Sequence, residues 1–187
     1  MKKLLLFASG SGTNVENIIR YFQEKKTAEV MGVFCNNPKA RVLERAQNLH
    51  IPTVVFTKDD LNSGIVLKKV TEFRPDLIVL AGFLLQFPSS IIKKHPNIIN
   101  IHPALLPKYG GKGMYGMNVH RAVLENKEAE TGISIHYVTE KYDEGAIIFQ
   151  KSISITNCVS AEDVAGKIHQ LEHEHFPEVI EQILQNI

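Results

Sequence analysis

Cysteine is scarce in this chain of 187 residues. The two cysteines, Cys35 and Cys158, stand alone, without a CxxC pair or a zinc-binding spacing around either of them. Isolated cysteines of this kind suit reduced thiols in a cytosolic protein. We therefore expect the protein to be cytoplasmic.

An excess of charge of either sign is also missing. The chain has 21 lysines and arginines against 20 aspartates and glutamates, which gives a formal net charge of +1. This balance argues against a nucleic-acid or membrane partner attracted by bulk charge, although a local basic patch for a phosphate group stays open. We expect small molecules as partners, and neither nucleic acid nor a membrane.

Long apolar runs are absent as well. The apolar stretch Leu4–Ala8 has only five residues before the glycines begin, which is too short for the core of a signal peptide. No other run reaches the length of a membrane span. The hydrophobic fraction of 44% is nevertheless ordinary for a globular chain, so residues 1–187 are predicted to form one domain with a substantial core.

Short apolar segments alternate with amphipathic ones along the first hundred residues. The predicted strands cover 4–8, 28–35, 52–56 and 77–82, and the predicted helices cover 15–22, 40–50 and 57 to about 73. This βαβ alternation predicts a parallel, doubly wound sheet with right-handed crossovers. Segment 77–82 is the most hydrophobic of the strands and is therefore predicted to be central.

The remainder of the chain adds a different pattern. A short helix at 89–94 and a strand ending at His102 precede a helix at 117–126, and strands at 130–139 and 146–155 are joined by a short turn. Two strands so joined predict an antiparallel hairpin at an edge or flap of the sheet. Ser160, followed by acidic residues, predicts the start of a terminal helix that could break at Pro177.

The fold class predicted from these segments is therefore α/β. It consists of a doubly wound, mostly parallel sheet with a C-terminal antiparallel hairpin and a terminal helix.

The segment from Ile98 to Pro107 begins as a buried strand and ends as a loop. Alternation along a strand places Asn100 and His102 on one face, while Ile99 and Ile101 point the other way. Ligands of open α/β sheets bind at such carboxyl ends of strands. An amide NH2 and an imidazole N–H both suit the stabilisation of a developing oxyanion, although a capped strand end would give the same pattern.

A glycine-rich turn, Gly10–Asn14, leads from the first strand into the first helix. Such turns present free backbone N–H groups to an anion. A dinucleotide would call for a third glycine where Val15 stands, and a P-loop would call for a Gly-Lys-Ser/Thr sequence that is absent. A small phosphate monoester therefore remains as the candidate ligand, beside the plainer interpretation of a tight turn capped by Thr13 or Asn14.

Three further features have two interpretations each. The loop Phe83–Phe87 is unusually apolar, so it either packs under a helix or forms the wall of a pocket for a flat apolar ligand. Asp143 lies in the hairpin turn, where aspartate often caps its own loop. Segment His169–His173 has the HxxEH order of some zinc peptidases, but only 14 residues follow it to supply another ligand, so we expect no metal site.

Taken together, these motifs resemble the phosphoribosylglycinamide formyltransferases, the folate-dependent enzymes of purine biosynthesis. The resemblance spans essentially the whole chain and rests on Gly10–Asn14, Leu80–Phe83, Asn100–Pro107, and His136 with Asp143–Gly145. The Asn100–Pro107 motif alone marks the wider formyltransferase fold, shared with methionyl-tRNA formyltransferase and formyltetrahydrofolate deformylase. The phosphate loop and the lack of the extra domains of those enzymes narrow the resemblance.

The resemblance also implies roles for individual residues. The catalytic triplet would be Asn100, His102 and Asp143. The substrate phosphate and ribose would be bound by Gly10, Ser11, Gly12, Thr13, Asn14 and Glu172. The folate would be contacted by Lys58, Leu84, Leu85, Gln86, Phe87 and Asn100. The chain departs from some relatives in the length of Tyr109–Asn118 and in having Leu-Leu-Gln-Phe in the folate segment.

The implied activity is transfer of the formyl group of 10-formyltetrahydrofolate, the co-substrate, to the amine of N1-(5-phospho-D-ribosyl)glycinamide in de novo purine (IMP) biosynthesis. Asn100 and a protonated His102 would donate to the oxyanion of a tetrahedral intermediate, with Asp143 favouring the imidazolium and organising a water. Residues 1–100 would form the phosphate-binding half and 101–187 the folate-facing half of a monomer or homodimer.

Two alternatives stay open from the sequence. The same triplet could hydrolyse formyltetrahydrofolate, releasing formate. A folate- or nucleotide-sensing protein could use the same scaffold, although binding alone needs no oxyanion donors.

Overall fold

A single seven-stranded sheet organises the chain in the computed structural model, which describes all 187 residues. Its strands are β1 (Lys2–Ala8), β2 (Ala28–Cys35), β3 (Thr53–Val55), β4 (Leu77–Leu80), β5 (Ile98–His102), β6 (Glu130–Tyr137) and β7 (Ile147–Ser154). They lie in the order β3-β2-β1-β4-β5-β6-β7. The first five strands are parallel, whereas β6 runs antiparallel to β5 and β7 antiparallel to β6.

This topology confirms the predicted fold class. The apolar strand β4 is central, the fourth of seven, and the β6–β7 hairpin lies at one edge of the sheet. The chain runs outward from β1 to β2 and β3, and outward again from β4 to β5. The order of strands therefore reverses between β1 and β4, and a crevice for ligands forms where their carboxyl ends diverge.

The helices cover both faces of the sheet. They are α1 (Thr13–Lys25), α2 (Arg41–Asn48), α3 (Lys58–Asn62), α4 (Ile65–Phe73), α5 (Ser89–Lys94), α6 (Met117–Glu125) and α7 (Ala161–Gln185). Side chains of α1, α2, α6 and α7 pack in a core of 33 buried residues on one face. Helices α3, α4 and α5 cover a smaller, phenylalanine-rich core on the other face.

The predicted single helix from 57 to 73 is wrong, because the structure has two helices there. Helix α3 ends at Asn62, and α4 begins after Gly64, whose φ of 91° lies in the left-handed region. A glycine adopts that conformation without steric cost, so the backbone turns at this point instead of continuing.

Helix α7 continues through Pro177. A proline inside a helix has no N–H for the carbonyl four residues earlier, which here belongs to His173. That carbonyl accepts a hydrogen bond from the Asn17 side chain of α1, 2.9 Å away. The neighbouring helix thus replaces the missing bond. None of the helices, α7 included, has an apolar stretch of the length that crosses a membrane.

Gly12 joins β1 to α1 in a conformation that few other residues could adopt. Its φ is 75°, and a Cβ built on it would lie only 2.7 Å from the Cα of Val42 in α2. The glycine is therefore required both by the backbone turn and by the close approach of α2.

Replacing Gly12 by alanine should lower the free energy of unfolding by about 3 kcal/mol or more, because left-handed strain and overpacking add. Gly64→Ala is the matched control: Gly64 also has a positive φ, but a Cβ there meets nothing within 4 Å, so strain alone should cost about 1 kcal/mol. Urea unfolding of both variants measures the difference. Equal losses would show that the packing against Val42 carries no weight.

Candidate active site

A cavity of about 620 Å³ opens at the carboxyl ends of β1, β4 and β5, where the strand order reverses. Its walls include almost every residue that the sequence analysis singled out: Gly10, Ser11, Gly12, Thr13, Asn14, Leu84, Leu85, Gln86, Phe87, Asn100, His102, Asp143 and Glu172. Lys58 is the exception. It is exposed at the start of α3 and does not line the cavity.

Strand β5 presents Asn100 and His102 on the cavity side, as alternation predicts. Ile99 and Ile101 lie in the core on the other face of the sheet. His102 is 3% exposed, and its Nδ1 lies 3.6 Å from Oδ2 of Asp143. Its Nε2 donates to the Tyr109 carbonyl oxygen at 2.7 Å. Both ring nitrogens of His102 therefore face acceptors.

Asp143 reaches this position from the β6–β7 turn through a left-handed backbone, with φ of 53°. Aspartate tolerates that conformation better than most residues. Its Oδ2 accepts a hydrogen bond from the Gly111 N–H at 2.9 Å, which ties the turn to the loop before α6. The carboxylate thus joins two loops as well as facing His102, so capping its own turn is not its main contact.

The pKa values of the pair follow from burial and mutual charge. Burial would raise the pKa of Asp143, but contact with His136, the charge of His102 and the Gly111 N–H together lower it. Burial lowers the pKa of His102, and Asp143 and the Tyr109 carbonyl only partly offset that effect. The net direction for His102 is downward, because desolvation outweighs the effect of the carboxylate.

His136 is a site residue to which the sequence analysis assigned no role. It lies on β6 directly opposite Asn100, 2% exposed. Its Nδ1 donates to the Tyr137 carbonyl, which leaves Nε2 to face Asn100 Nδ2 at 3.2 Å and Asp143 Oδ1 at 3.5 Å. The motif that carries the resemblance contains His136, but only the register of β5 against β6 shows what it contacts.

His120 is a second residue that was missed. It lies on α6 and lines the cavity, 3% exposed, with its Nδ1 enclosed and without a hydrogen-bond partner. Burial, followed by the nearby charges of His169 and His102, lowers the pKa of His120 to about 4. In the sequence, nothing distinguishes His120 from a core residue of α6.

The glycine-rich turn forms the opposite wall of the cavity. The first helical bond of α1 runs from the Glu16 N–H to the Gly12 carbonyl, so the N–H groups before it have no partner within the helix. No side chain caps α1, because its N-cap is Gly12. The interpretation of Thr13 or Asn14 as the cap is therefore wrong, and the residues that carry the free N–H groups line the cavity.

Asn14 instead binds a buried carboxyl group. Its Nδ2 donates to Oε2 of Glu172 on α7 at 2.9 Å, and its own Oδ1 is enclosed without a partner. Burial raises the pKa of Glu172 to about 7, which the Asn14 hydrogen bond only partly opposes. Glu172 and Asn14 thus bring polar groups to the end of the cavity where the glycine-rich turn lies.

The apolar loop after β4 packs partly in the core and partly along the cavity. Phe87 is buried, with its ring edge-to-face on Phe7 and on Phe83, so its side chain packs in the core. Leu84 is 48% exposed at the cavity, and its N–H donates to the Ser9 hydroxyl. The segment is therefore fixed to the core through Phe87, and it presents the apolar side chain of Leu84 to the cavity.

No group of three or more histidine, cysteine, aspartate or glutamate side chains is arranged to hold a metal ion. In the HxxEH segment, Glu172 is turned inward to Asn14, whereas His169 and His173 are exposed. The segment therefore contributes Glu172 to the cavity wall.

Comparison with known proteins adds independent findings. The profile of the formyl transferase family matches residues 2–180. A phosphoribosylglycinamide formyltransferase of Bacillus subtilis is 35% identical over 98% of this chain and 95% of its own length. The chloroplastic phosphoribosylglycinamide formyltransferase of Arabidopsis thaliana is 34% identical over 96% of this chain, which spans only 64% of that protein. Glycinamide ribonucleotide transformylase 1 of Symbiobacterium toebii has a similar structure, with a TM-score of 0.91 at 27% identity, covering 100% of this chain and 89% of that one.

The raised pKa of Glu172 predicts a pH-dependent stability. The folded state holds this proton more tightly than the unfolded state, so the stability is highest below the unfolded pKa of 4.5 and falls as the pH rises through about 7. Glu172→Gln should remove this loss of stability. The free energy of unfolding of the variant, relative to that of the original chain, should increase by roughly 2–3 kcal/mol between pH 5 and pH 8, as measured by urea unfolding. Glu174→Gln, at an exposed side chain, controls for the change in net charge. An advantage that does not vary with pH would contradict the assignment.

Proposed function

Because the chain belongs to the formyl transferase family and resembles phosphoribosylglycinamide formyltransferases along its length, we propose that it carries out their reaction with Asn100, His102 and Asp143. The reaction moves the formyl group of 10-formyltetrahydrofolate to the amine of N1-(5-phospho-D-ribosyl)glycinamide in purine biosynthesis. The observation that carries the proposal is the convergence of these three polar side chains at the carboxyl end of β5, on the wall of the cavity.

The chemistry requires donors for one oxygen. The substrate amine attacks the formyl carbon, a new C–N bond forms, and the carbonyl oxygen becomes negatively charged. Asn100 Nδ2 and a His102 N–H are the donors for that oxygen. His102 Nε2 now donates to the Tyr109 carbonyl. An oxyanion is a stronger acceptor than a neutral carbonyl, so the developing charge favours transfer of this hydrogen bond to it.

Proton transfer completes the reaction. The bond between the formyl carbon and the folate nitrogen breaks, and one proton passes from the amine to that nitrogen. Asp143 faces His102 through Oδ2 and His136 through Oδ1. Its lowered pKa keeps it ionised, so it stabilises the positive charge that His102 carries while it holds the proton released by the amine. Asp143 can also orient a water that relays this proton to the folate nitrogen.

The two ends of the cavity suit the two substrates. The phosphate binds to the free N–H groups and side chains of Gly10, Ser11, Gly12, Thr13 and Asn14. Glu172 accepts hydrogen bonds from the ribose hydroxyls. Leu84, Leu85, Gln86 and Phe87, with Asn100, bind the folate. Contacts with the phosphate position the substrate amine for attack, although they lie away from the reacting atoms. Lys58 lies outside the cavity wall, so its contact with folate stays a prediction for the part of the ligand that extends beyond the cavity.

The organisation of the chain belongs to the same proposal. Residues 1–187 act as one catalytic domain, in which residues 1–100 form the phosphate-binding half and residues 101–187 the folate-facing half. The halves share the cavity, since Glu172 lies beside the phosphate loop and Leu84–Phe87 belong to the first half. We propose that the protein works as a monomer or homodimer in the cytoplasm, where its free thiols Cys35 and Cys158 stay reduced.

Product analysis separates this activity from hydrolysis and from sensing. With both substrates present, we expect formylated glycinamide ribonucleotide and tetrahydrofolate in equal amounts, with almost no free formate. Without the nucleotide, 10-formyltetrahydrofolate should persist. Formate release independent of the nucleotide would establish a hydrolase instead, and binding of either ligand without turnover would establish a sensor.

Loss of the His102 imidazole should remove a hydrogen-bond donor to the oxyanion without weakening the binding of the substrate phosphate. His102→Ala is expected to lower kcat by about 10²–10³, with the KM for the nucleotide changed by less than about threefold. Steady-state kinetics and circular dichroism measure activity and folding together. His95→Ala, at a half-buried histidine outside the cavity, is the control and should keep the original kcat. Turnover of His102→Ala near that of the control would exclude His102 from the mechanism.

A further inference from the structure

Helix α2 lies behind the glycine-rich turn and holds it by its carbonyl groups. The Val42 N–H donates to the Gly10 carbonyl at 3.1 Å. The Arg45 Nε donates to the Ser11 carbonyl at 2.9 Å. No residue of α2 lines the cavity, so these contacts approach the turn from the side opposite to the proposed ligand.

The planarity of the peptide bond links those carbonyls to the N–H groups that follow them. In a trans peptide, the C=O of one residue and the N–H of the next point in opposite directions. With the Gly10 and Ser11 carbonyls directed at α2, the N–H groups of Ser11 and Gly12 point away from α2, toward the cavity. Neither N–H has a hydrogen-bond partner within the protein.

Arg45 is itself held in place. Its Nη1 pairs with Glu16 of α1, and Glu16 also binds Arg20 on the same helix, through Nε at 3.1 Å and Nη2 at 2.8 Å. The Arg45 side chain is 27% exposed, whereas that of Arg20 is 64% exposed. Arg45 is thus the only member of this ion network whose side chain donates a hydrogen bond to the turn.

We infer that Arg45 is a positioning residue: by fixing the Ser11 carbonyl, it orients the N–H of Gly12, beside that of Ser11, toward the substrate phosphate. The inference rests on the proposed function of the turn as the phosphate site. Arg45 does this without touching the substrate. Since Glu16 balances its charge, the contribution comes from the direction of the N–H groups and not from the charge of the guanidinium.

Lysine should therefore be a poor replacement. A guanidinium carries separate N–H groups that reach Glu16 and the Ser11 carbonyl at once, in a fixed plane. A single ammonium keeps the positive charge but cannot reproduce this geometry.

The test is steady-state kinetics of Arg45→Gln and Arg45→Lys, with inorganic phosphate as an inhibitor competing with the nucleotide. Both variants should raise the KM for the nucleotide and the inhibition constant of phosphate by roughly tenfold, the effect of one lost orienting hydrogen bond. The value of kcat and the KM for the folate should change by less than about twofold. Arg20→Ala is the matched control, because it removes a partner of Glu16 but no contact with the turn, and it should leave all four constants unchanged.

Three results would overturn the inference. An unchanged KM for the nucleotide in Arg45→Gln would show that the turn keeps its orientation without Arg45. Full recovery in Arg45→Lys would show that charge alone matters. An equal change in kcat and in the folate KM would show a general loosening of the fold.

A second pair of variants distinguishes failure of the inference from failure of the phosphate site itself. A Cβ at Gly10 meets nothing within 4 Å, so Gly10→Asp and Gly10→Asn fit equally well but differ in charge. If the turn binds phosphate, Gly10→Asp should raise the nucleotide KM far more than Gly10→Asn. Equal effects of the two would overturn the phosphate site, and with it the inference. A strong effect of Gly10→Asp together with no effect of Arg45→Gln would overturn the inference alone.

Discussion

The contact of one buried carboxylate with two imidazoles is the interaction on which the rest of the site depends. Asp143 faces His102 through one oxygen and His136 through the other, and the Gly111 N–H donates to it as well. These contacts keep the carboxyl group ionised although it is largely removed from water. An ionised group there can stabilise positive charge on His102 at the moment when negative charge forms on the substrate. The burial that depresses the pKa of His102 in the free protein therefore does not prevent it from acting as a donor.

The fold brings these groups together through features of the sheet. Asn100 and His102 come from the end of a parallel strand, whereas His136 and Asp143 come from an antiparallel hairpin added beside that strand. The glycine-rich turn follows β1 on the other side of the point where the strand order reverses. A site of this kind can bind two substrates side by side, because each wall is built on a different strand and each is backed by packed helices or by the hydrophobic core.

Most of the architecture follows from local patterns in the sequence. Apolar runs and their spacing predict all seven strands within two residues of each boundary. The hydrophobicity of segment 77–82 also predicts the central position of β4. Patterns of this kind do not show a backbone reversal at a single glycine, as at Gly64, or a proline whose lost bond is replaced from another helix, as at Pro177. Asn100, His102 and Asp143 could be singled out from the sequence, because these three residue types in the motifs of the resemblance suit catalysis. His120 and Arg45 were not singled out, and His136 was named without a role, because their contacts depend on register and packing between elements that are distant in the sequence.

The function proposed for this site requires that the Asp143 carboxylate support positive charge on His102. The most direct test is an NMR titration of the His102 ring in the original chain and in Asp143→Asn, which keeps the shape of the side chain and removes its charge. We expect the pKa of His102, already below its ordinary value because of burial, to fall further in the variant, while the titration of the distant His95 stays the same. A His102 that titrates at the same pH in both proteins would contradict the account.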